Sequence, residues 1–228
     1  MKIEAWRSHR PKPSQIRGSR MYQVQKPIKT KEELQGLLAE MHPSQINKII
    51  DHIDAHVSAW LAHTTFVTIA STNARGQMDV SPKGDPAGFI RVLDPKTLAI
   101  PDRIGNNRGD TFFNVLENPR IGMLCVVPTR KEVVRINGSA EIVQDDALRD
   151  MTVVNGHRPD LVLLLRVEEA FFHCGKSMIR SRMWQPDHWG PVDALPTYAQ
   201  ALKDHGAMEM PLEDIEARMA YNETGRLY

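Results

Sequence analysis

The stretch "GFIRVLDPKTLAIPDRIGNNRGDTFFNVLENPR", residues 88–120, contains the change of pattern that decides the fold. Two apolar runs, "GFIRVLD" and "TLAIP", flank Asp94-Pro95-Lys96, a connection typical of a β-hairpin. A polar turn follows, and behind Asp110 the apolar residues recur at helical spacing, which predicts a helix over 109–118. Because strands joined by hairpins are antiparallel, we expect an antiparallel sheet interrupted by this helix.

The rest of the chain repeats the strand pattern at hairpin spacing. One helix is predicted to begin after Thr30, where Glu33 completes a capping box, and another after Ser44. About six strands with flanking helices favour a mainly β fold, a six-stranded antiparallel barrel rather than a parallel βαβ sheet. The strand candidates outside the opening stretch are "FVTIAST", "MDVSP", "RIGMLCVV", "EVVRINGSAEIV" and "DLVLLLRVEEAFFHC".

The domain organisation follows from the distribution of proline and of periodic segments. Residues 1–28 are basic and irregular, and we interpret them as an N-terminal arm. Residues 29–186 carry the predicted helices and strands of one domain. Residues 187–228 contain several prolines and one predicted short helix, which suits a tail that embraces a partner subunit.

Composition excludes several classes of protein. The chain has 228 residues, 41% hydrophobic and 25% charged, and its formal net charge of +1 provides no field for nucleic acid or an anionic membrane. No apolar run approaches the ~20 residues of a membrane span, and the N-terminal residues lack the apolar segment of a secretory signal. Cys125 and Cys174 are too few for a disulfide framework. We therefore predict a cytoplasmic protein without nucleic-acid or membrane partners.

The polar turn before the predicted helix 109–118 is a candidate anion site. A helix N-terminus presents unpaired N–H groups and a partial positive charge, which together favour an anion. Arg108 can donate two parallel hydrogen bonds to phosphate oxygens, and Asn106 and Asn107 tolerate a tight left-handed turn and add donors. The alternative is an ordinary asparagine-rich connection with a solvated arginine.

The segment "VSPKGDP", residues 80–86, supplies a second candidate for the same anion. Lys83 can add a point charge, and Gly84 allows a flat ligand to approach the backbone closely. The alternative interpretation is a surface turn, in which proline, glycine and aspartate are the expected residues.

Other sequence patterns are weaker indications of function. Neither GxGxxG nor GxxxxGK[ST] occurs, so a Rossmann or P-loop site is not expected. His52 and His56 have metal-ligand spacing on a helix, but Ile53 replaces the glutamate of a zinc-protease helix, and we expect no metal. The segment "GKSMIRSRMW", residues 175–184, is either an exposed basic edge strand or a strand whose cationic row and indole suit an anionic aromatic ligand.

Taken together, these stretches resemble the pyridoxamine 5′-phosphate oxidase-like family of FMN-binding split barrels, in a bacterial subgroup distinct from the true oxidase. The likeness runs from about Lys31 to Pro186 and lies in segments that occur in the same order. The resemblance implies a six-stranded Greek-key split barrel, a homodimer and two FMN sites at its interface. The segments are "DVSPKGDPAGF", "RVLD", "LAIPDRIGNNR", "ENPRIGMLC", "VRINGSAEI" and "FHCGKSMIRSRMW".

The resemblance also implies which positions bind the cofactor. Lys83 and Arg108, with Asn107 before it, match the family positions that contact the FMN phosphate. The resemblance implies contacts along the flavin ring or ribityl chain for Ser81, Gly84 and Asp85. It implies that the strand lining the flavin contains Ile100, Pro101 and Asp102. Contacts from a neighbouring strand or the second subunit are implied for Arg135, Lys176, Ser181 and Trp184.

The resemblance stops short of the substrate half of the site. The true oxidase ends in an Arg-Leu-His-Asp-Arg-like run that holds the substrate phosphate, and residues 185–228 contain no match to it. The leading hypothesis is therefore an FMN-dependent oxidoreductase acting on an unidentified small molecule, with no residue assigned as acid or base. The alternatives are a non-catalytic flavin-binding or sensing protein, an F420-dependent reductase, and a haem-binding barrel with His173 as the candidate axial ligand.

Overall fold

The computed structural model describes residues 21–228, and the part from residue 43 onward contains a single large antiparallel sheet. The described chain divides into two units, one ending at His42 and the other spanning Pro43–Tyr228. The predicted arm falls outside the described residues as far as residue 20, and residues 21–28 contain neither helix nor strand. The strands are β1 (Phe66–Thr72), β2 (Met78–Gly84), β3 (Arg91–Asp94), β4 (Thr97–Pro101), β5 (Arg120–Val126), β6 (Val133–Val143) and β7 (Val162–His173).

The strand order is β2-β1-β5-β6-β7-β4-β3, and every neighbouring pair is antiparallel. The mainly β, antiparallel prediction is confirmed, but the six-stranded barrel is corrected, because the sheet has seven strands and is not closed. The four-residue β3 pairs only with β4 and forms its own edge. β2 and β3 lie at opposite edges of the sheet. They are not hydrogen-bonded to each other, so the sheet does not close into a barrel.

The helices differ from the predicted ones in length. The capping box at Thr30 is confirmed, since its hydroxyl accepts from the Glu33 amide at 3.1 Å, although the helix has only five residues. The single helix predicted after Ser44 is two helices, because Ile50 leaves the helical path and exchanges backbone hydrogen bonds with Ala170 of β7. The tail holds two helices rather than one. The helices are α1 (Lys31–Gln35), α2 (Ser44–Asn47), α3 (Ala55–His63), α4 (Asp110–Glu117), α5 (Asp146–Met151), α6 (Lys176–Arg180), α7 (Tyr198–Gly206) and α8 (Leu212–Gly225).

The core lies between α3 and the inner face of the sheet. Asp54 caps α3 by accepting from the Val57 amide at 2.8 Å, and the helix then buries Val57, Trp60 and Leu61. Along β1, alternate residues are buried, as the two-residue period of a strand requires. β4 differs, because all five of its residues are buried. The end of β4 is therefore anchored in the core, and the segment that follows β4 begins from this buried position.

The segment after β7 is a helix, where the strand interpretation of residues 176–184 was wrong. β6 begins at Val133, directly opposite His173, so a longer β7 would have no partner strand. The chain turns into α6 instead, and Lys176, Arg180 and Trp184 do not form a row on one face of a strand. The Trp184 indole donates to the carbonyl of Arg130 at 2.8 Å.

Gly138 gives a direct test of the sheet register. It lies at the irregularity in the β6–β7 ladder, where a Cβ atom would overlap the backbone carbonyl of Arg166. Gly138→Ala is therefore expected to lower the free energy of unfolding by about 1–3 kcal/mol, as overpacked sites do. Gly190→Ala is the matched control, since open space surrounds a Cβ there. Urea unfolding checks both, and equal stability of the two variants would contradict the register.

A candidate cofactor site at the open side of the sheet

A cavity of about 450 Å³ lies between β2, the segment that follows β4, and the first turn of α4. Its volume is within the range of about 300–1,000 Å³ that is usual for small-molecule sites. The structure brings together here most of the residues that the sequence nominated from two separate segments. Those that line the cavity are Ser81, Lys83, Gly84, Asp85, Pro101, Asp102, Asn106, Asn107 and Arg108.

Lys83 reaches the cavity from β2. Its ammonium lies 3.2 Å from Asp102 Oδ1, and the side chain is 20% exposed. The same nitrogen lies 5.2 Å from the centre of the Phe112 ring, which places it beside the first turn of α4. Ser81, two residues earlier, donates to Asp79 Oδ2 at 2.8 Å, and Thr111 donates to the same oxygen at 3.2 Å. Asp79 therefore ties β2 to α4.

The turn before α4 has the tight geometry that its asparagines predict. Asn107 has φ 57° and Gly109 has φ 66°, both in the left-handed region. Asn106 Oδ1 accepts from the Arg108 amide at 3.0 Å, which closes the turn. Gly109 occupies the N-cap position and has no side chain that could cap the first N–H groups of α4.

Arg108 is held at this turn by Asp110. The two side chains pair with 2.7 Å between Arg108 Nε and Asp110 Oδ2, and the arginine is 58% exposed. The pair shares the cavity wall with Lys83. Basic groups from β2 and from the start of α4 therefore face one space, although they are far apart in the sequence.

A second ion pair, deeper in the wall, joins Asp85 to Arg103. Arg103 Nε lies 2.7 Å from Asp85 Oδ2, with the side chains 14% and 1% exposed respectively. Arg103 Nη2 donates to the carbonyl of Thr152 at 2.7 Å, and Nη1 is buried without a hydrogen-bond partner among residues 21–228. The remaining Asp85 oxygen accepts from the hydroxyl of Tyr228 at 2.7 Å, and this bond raises the pKa of Tyr228 above its usual value.

Sequence reasoning missed Arg103 and Tyr228 as parts of this wall. Arg103 stands in the opening stretch, but nothing in its neighbours shows that its partner is Asp85 in another segment. Tyr228 is separated from Asp85 by 143 positions, a distance over which no local pattern can indicate a contact.

The wall is electrically balanced. Among the described residues, three basic side chains line it, Lys83, Arg103 and Arg108, and each is paired with a carboxylate. An incoming anion must therefore share Lys83 with Asp102 or Arg108 with Asp110. The wall offers it directed donors rather than excess positive charge.

Five nominated residues do not line the cavity in the described chain. Ile100 belongs to the buried core, and Arg135 pairs with Glu169 at 2.8 Å and stacks 4.4 Å from the centre of the Phe171 ring. Arg135 Nε is buried and lacks a hydrogen-bond partner. The others lie in or just after α6: Lys176, Ser181 and Trp184.

Other chemistry finds little support in the described residues. No group of three or more histidine, cysteine or acidic side chains within residues 21–228 is arranged to hold a metal. His52 lies outside α3 and contacts Asp51 at 3.0 Å, so it does not share a helix face with His56. Burial raises the pKa of the Cys125 thiol, which opposes the thiolate form that a nucleophile needs. No helix within residues 21–228 is long and apolar enough to cross a membrane.

Residues 53–174 match the model of the family described as pyridoxamine 5′-phosphate oxidase, which is more than half of the chain. The chain belongs to the pyridoxamine 5′-phosphate oxidase family. All seven strands, α4 and the cavity-lining residues 81–112 fall within the matched segment. Tyr228 falls outside it.

Comparison with solved structures finds similarity over about half of this chain. HupZ of Group A Streptococcus is 22% identical, with 53% of this chain and 93% of that chain covered and a TM-score of 0.44. General Stress Protein 26 from Bacillus anthracis is 12% identical, with 50% and 88% covered and a TM-score of 0.39. An FMN-binding protein from Syntrophomonas wolfei is 10% identical, with 50% and 81% covered and a TM-score of 0.41. No curated protein matches the chain significantly.

Proposed function

We propose that this member of the pyridoxamine 5′-phosphate oxidase family binds FMN and serves as an oxidoreductase for a small molecule other than pyridoxamine phosphate. The observation that carries the proposal is the convergence of Lys83 and the Arg108 turn on one cavity. A phosphate there would meet an ammonium, a guanidinium and the uncapped N–H groups of α4. These are the donors that a phosphate monoester prefers.

The residues present fit the phosphate end of FMN. Gly109 leaves the start of α4 without a side-chain cap, so an anion can accept from the helix N–H groups. Lys83 and Arg108 already point their charges at carboxylates, and a bound phosphate would take over part of these interactions. Asp102 and Asp110 would then limit the affinity, because each competes for its own basic partner.

FMN, when bound, supplies the redox chemistry through its isoalloxazine ring. Lys83 and Arg108 would bind the phosphate, and Gly84 lines the cavity next to Lys83. The buried pair of Asp85 and Arg103 provides a fixed polar wall. Because both oxygens of Asp85 already accept hydrogen bonds, we do not assign it as a proton acceptor.

The absorption spectrum of the purified protein, reconstituted with FMN, tests the proposal. We expect a flavin spectrum with about one FMN per chain, and reduction of that flavin by a nicotinamide donor. The proposal would be overturned if the protein purified from cells had a deazaflavin or haem spectrum and took up no FMN. FMN binding without any reduction would favour the non-catalytic flavin-binding alternative.

A steady-state assay that follows pyridoxal phosphate separates this protein from the true oxidase. The substrate phosphate would need its own basic cluster, and the tail after Trp184 offers only Lys203, Arg218 and Arg226, without shared spacing. We expect no saturable formation of pyridoxal phosphate by the FMN-loaded protein. Rapid, saturable formation would show that a substrate phosphate site exists.

We also propose a homodimer. The outer side of β1, β2 and β5 is apolar, with Phe66, Val80 and Leu124 exposed by 42%, 62% and 39%. The register places these residues on the same face of adjacent strands, and Leu116 of α4 is 74% exposed. The interface is proposed to include helix 109–118 and the C-terminal segment, with the second subunit adding Arg135, Lys176, Ser181 or Trp184 to the flavin site.

Sedimentation at micromolar concentration is expected to show a dimer, because an apolar face of this kind is stable when a second copy covers it. Val80→Glu places a charge on that face and is expected to shift the equilibrium to monomers. Leu37→Glu, at a position that is 71% exposed outside the sheet, is the control. A wild-type monomer that retains FMN would contradict the proposed interface.

A further inference from the structure

Tyr228 occupies a specific place on the wall of the candidate cofactor site. Its hydroxyl donates to Asp85 Oδ1 at 2.7 Å, its ring centre lies 5.7 Å from the Arg103 guanidinium, and it stacks on His157 with 5.8 Å between ring centres. One side chain thus contacts the end of β2, the segment after β4 and the loop that precedes β7.

The group that Tyr228 holds is almost fully buried. The Asp85 side chain is 1% exposed, and its two oxygens are taken by Arg103 and Tyr228, one each. Without the tyrosine hydroxyl, one oxygen of a buried carboxylate would lose its partner, which is costly for a charged group. The Tyr228 hydroxyl therefore stabilises Asp85 in this position.

The Asp85–Arg103 pair is next to the pair that holds the proposed phosphate ligand. Lys83–Asp102 and Asp85–Arg103 both connect β2 to the segment after β4. β2 and β4 are not neighbours in the sheet, so no strand pairing sets the width of the cavity between them. Two side-chain bridges span it instead, and Tyr228 contacts both members of the more buried one, Asp85 and Arg103.

We propose that Tyr228 is a positioning residue that holds Asp85 and Arg103, and through them the spacing of β2 from the segment after β4, so that its docking and cofactor binding are coupled. The inference rests on the proposed FMN function for its ligand and concerns the regulation of the same site. Coupling of this kind is reciprocal, so FMN must also stabilise the docked state of Tyr228.

Tyr228→Phe tests the proposal, because it keeps the ring and removes only the hydroxyl. We expect the dissociation constants of FMN and of riboflavin to rise together, about 5–10-fold, the low end of the range for coupling between two sites. Tyr198→Phe, at a position that is 70% exposed, is the control and is expected to bind both flavins like the wild type.

The pH dependence distinguishes positioning from a general loss of stability. The hydroxyl donates to Asp85 only while it is protonated. The wild type must therefore lose its tighter flavin binding relative to Tyr228→Phe as the pH rises through the raised pKa of Tyr228. The charged or titratable groups that face Tyr228 are Asp85, Arg103 and His157, which both proteins share. A ratio of dissociation constants that stays the same from neutral pH to a pH at which the absorbance of tyrosinate shows Tyr228 to be ionised would overturn the proposal.

Hydrogen exchange of the FMN-free protein provides a readout that does not depend on the cofactor. Tyr228→Phe is expected to speed exchange in residues 81–85 and 101–108 by several fold, while Tyr198→Phe leaves it unchanged. If the wild type binds no flavin, the FMN function fails while the exchange result still decides the positioning role. Unchanged exchange together with unchanged flavin binding would overturn the inference alone.

Discussion

Arg103→Ala is expected to lower the free energy of unfolding by about 3–5 kcal/mol, the cost of leaving a buried carboxylate without its cation. The Asp85 side chain is 1% exposed and Arg103 is 14% exposed, so the carboxylate has little contact with solvent to compensate for the lost guanidinium. Arg103 also donates to the Thr152 carbonyl, which would lose its donor. Urea unfolding measures the effect.

An exposed ion pair in the same sheet is the control. Arg120 and Glu168 form a pair with side chains that are 61% and 44% exposed. Arg120→Ala is expected to cost at most about 1 kcal/mol, because solvent screens such pairs. The double variant Asp85→Ala/Arg103→Ala should recover part of the stability, since it removes the uncompensated charge. A loss as small as that of Arg120→Ala would show that the Asp85–Arg103 pair is not a buried bridge in solution.

Lys83→Ala and Arg108→Ala are each expected to weaken FMN binding by about 1.5–3 kcal/mol, the range for a hydrogen bond to a charged group. Riboflavin lacks the phosphate, so its affinity should change little in either variant. The wild type should accordingly prefer FMN over riboflavin. Titration calorimetry or fluorescence with both flavins provides the measurement, and equal affinity of the wild type for the two would remove the phosphate role of both residues.

Asp102→Asn is expected to change FMN affinity in the opposite direction. Asp102 Oδ1 lies 3.2 Å from the Lys83 ammonium and competes with a phosphate for it. The amide keeps the shape of the side chain but loses the charge, so FMN affinity is expected to rise while riboflavin affinity stays the same. A fall in FMN affinity would mean that Asp102 positions Lys83 rather than competing for it.

The sequence predicts those parts of the structure that depend on short segments. The capping box of Thr30 and Glu33, the hairpins, and the turn of Asn106 to Arg108 before α4 all follow from neighbouring residues. The convergence of Lys83 on this turn was reached by combining two local patterns with a family resemblance. Its cofactor role remains a prediction.

The errors lie where partners distant in the sequence decide the outcome. Ile50 continues a helical pattern but pairs with Ala170 of β7, which divides the predicted helix. Residues 176–184 have a strand-like alternation but no neighbouring strand to pair with, because β6 begins at Val133. Arg103 was missed for the same reason, since its role depends on Asp85 and Tyr228.

The pairing of every basic side chain in the cavity wall with a carboxylate has a kinetic consequence. Three cations and three carboxylates cancel at distances beyond about 10 Å, roughly the Debye length at 0.1 M salt. A phosphorylated ligand is therefore not steered toward the cavity by a long-range field, and its association rate should vary little with ionic strength. Recognition of its charge begins only after encounter, when the phosphate is close enough to exchange partners with Asp102 and Asp110.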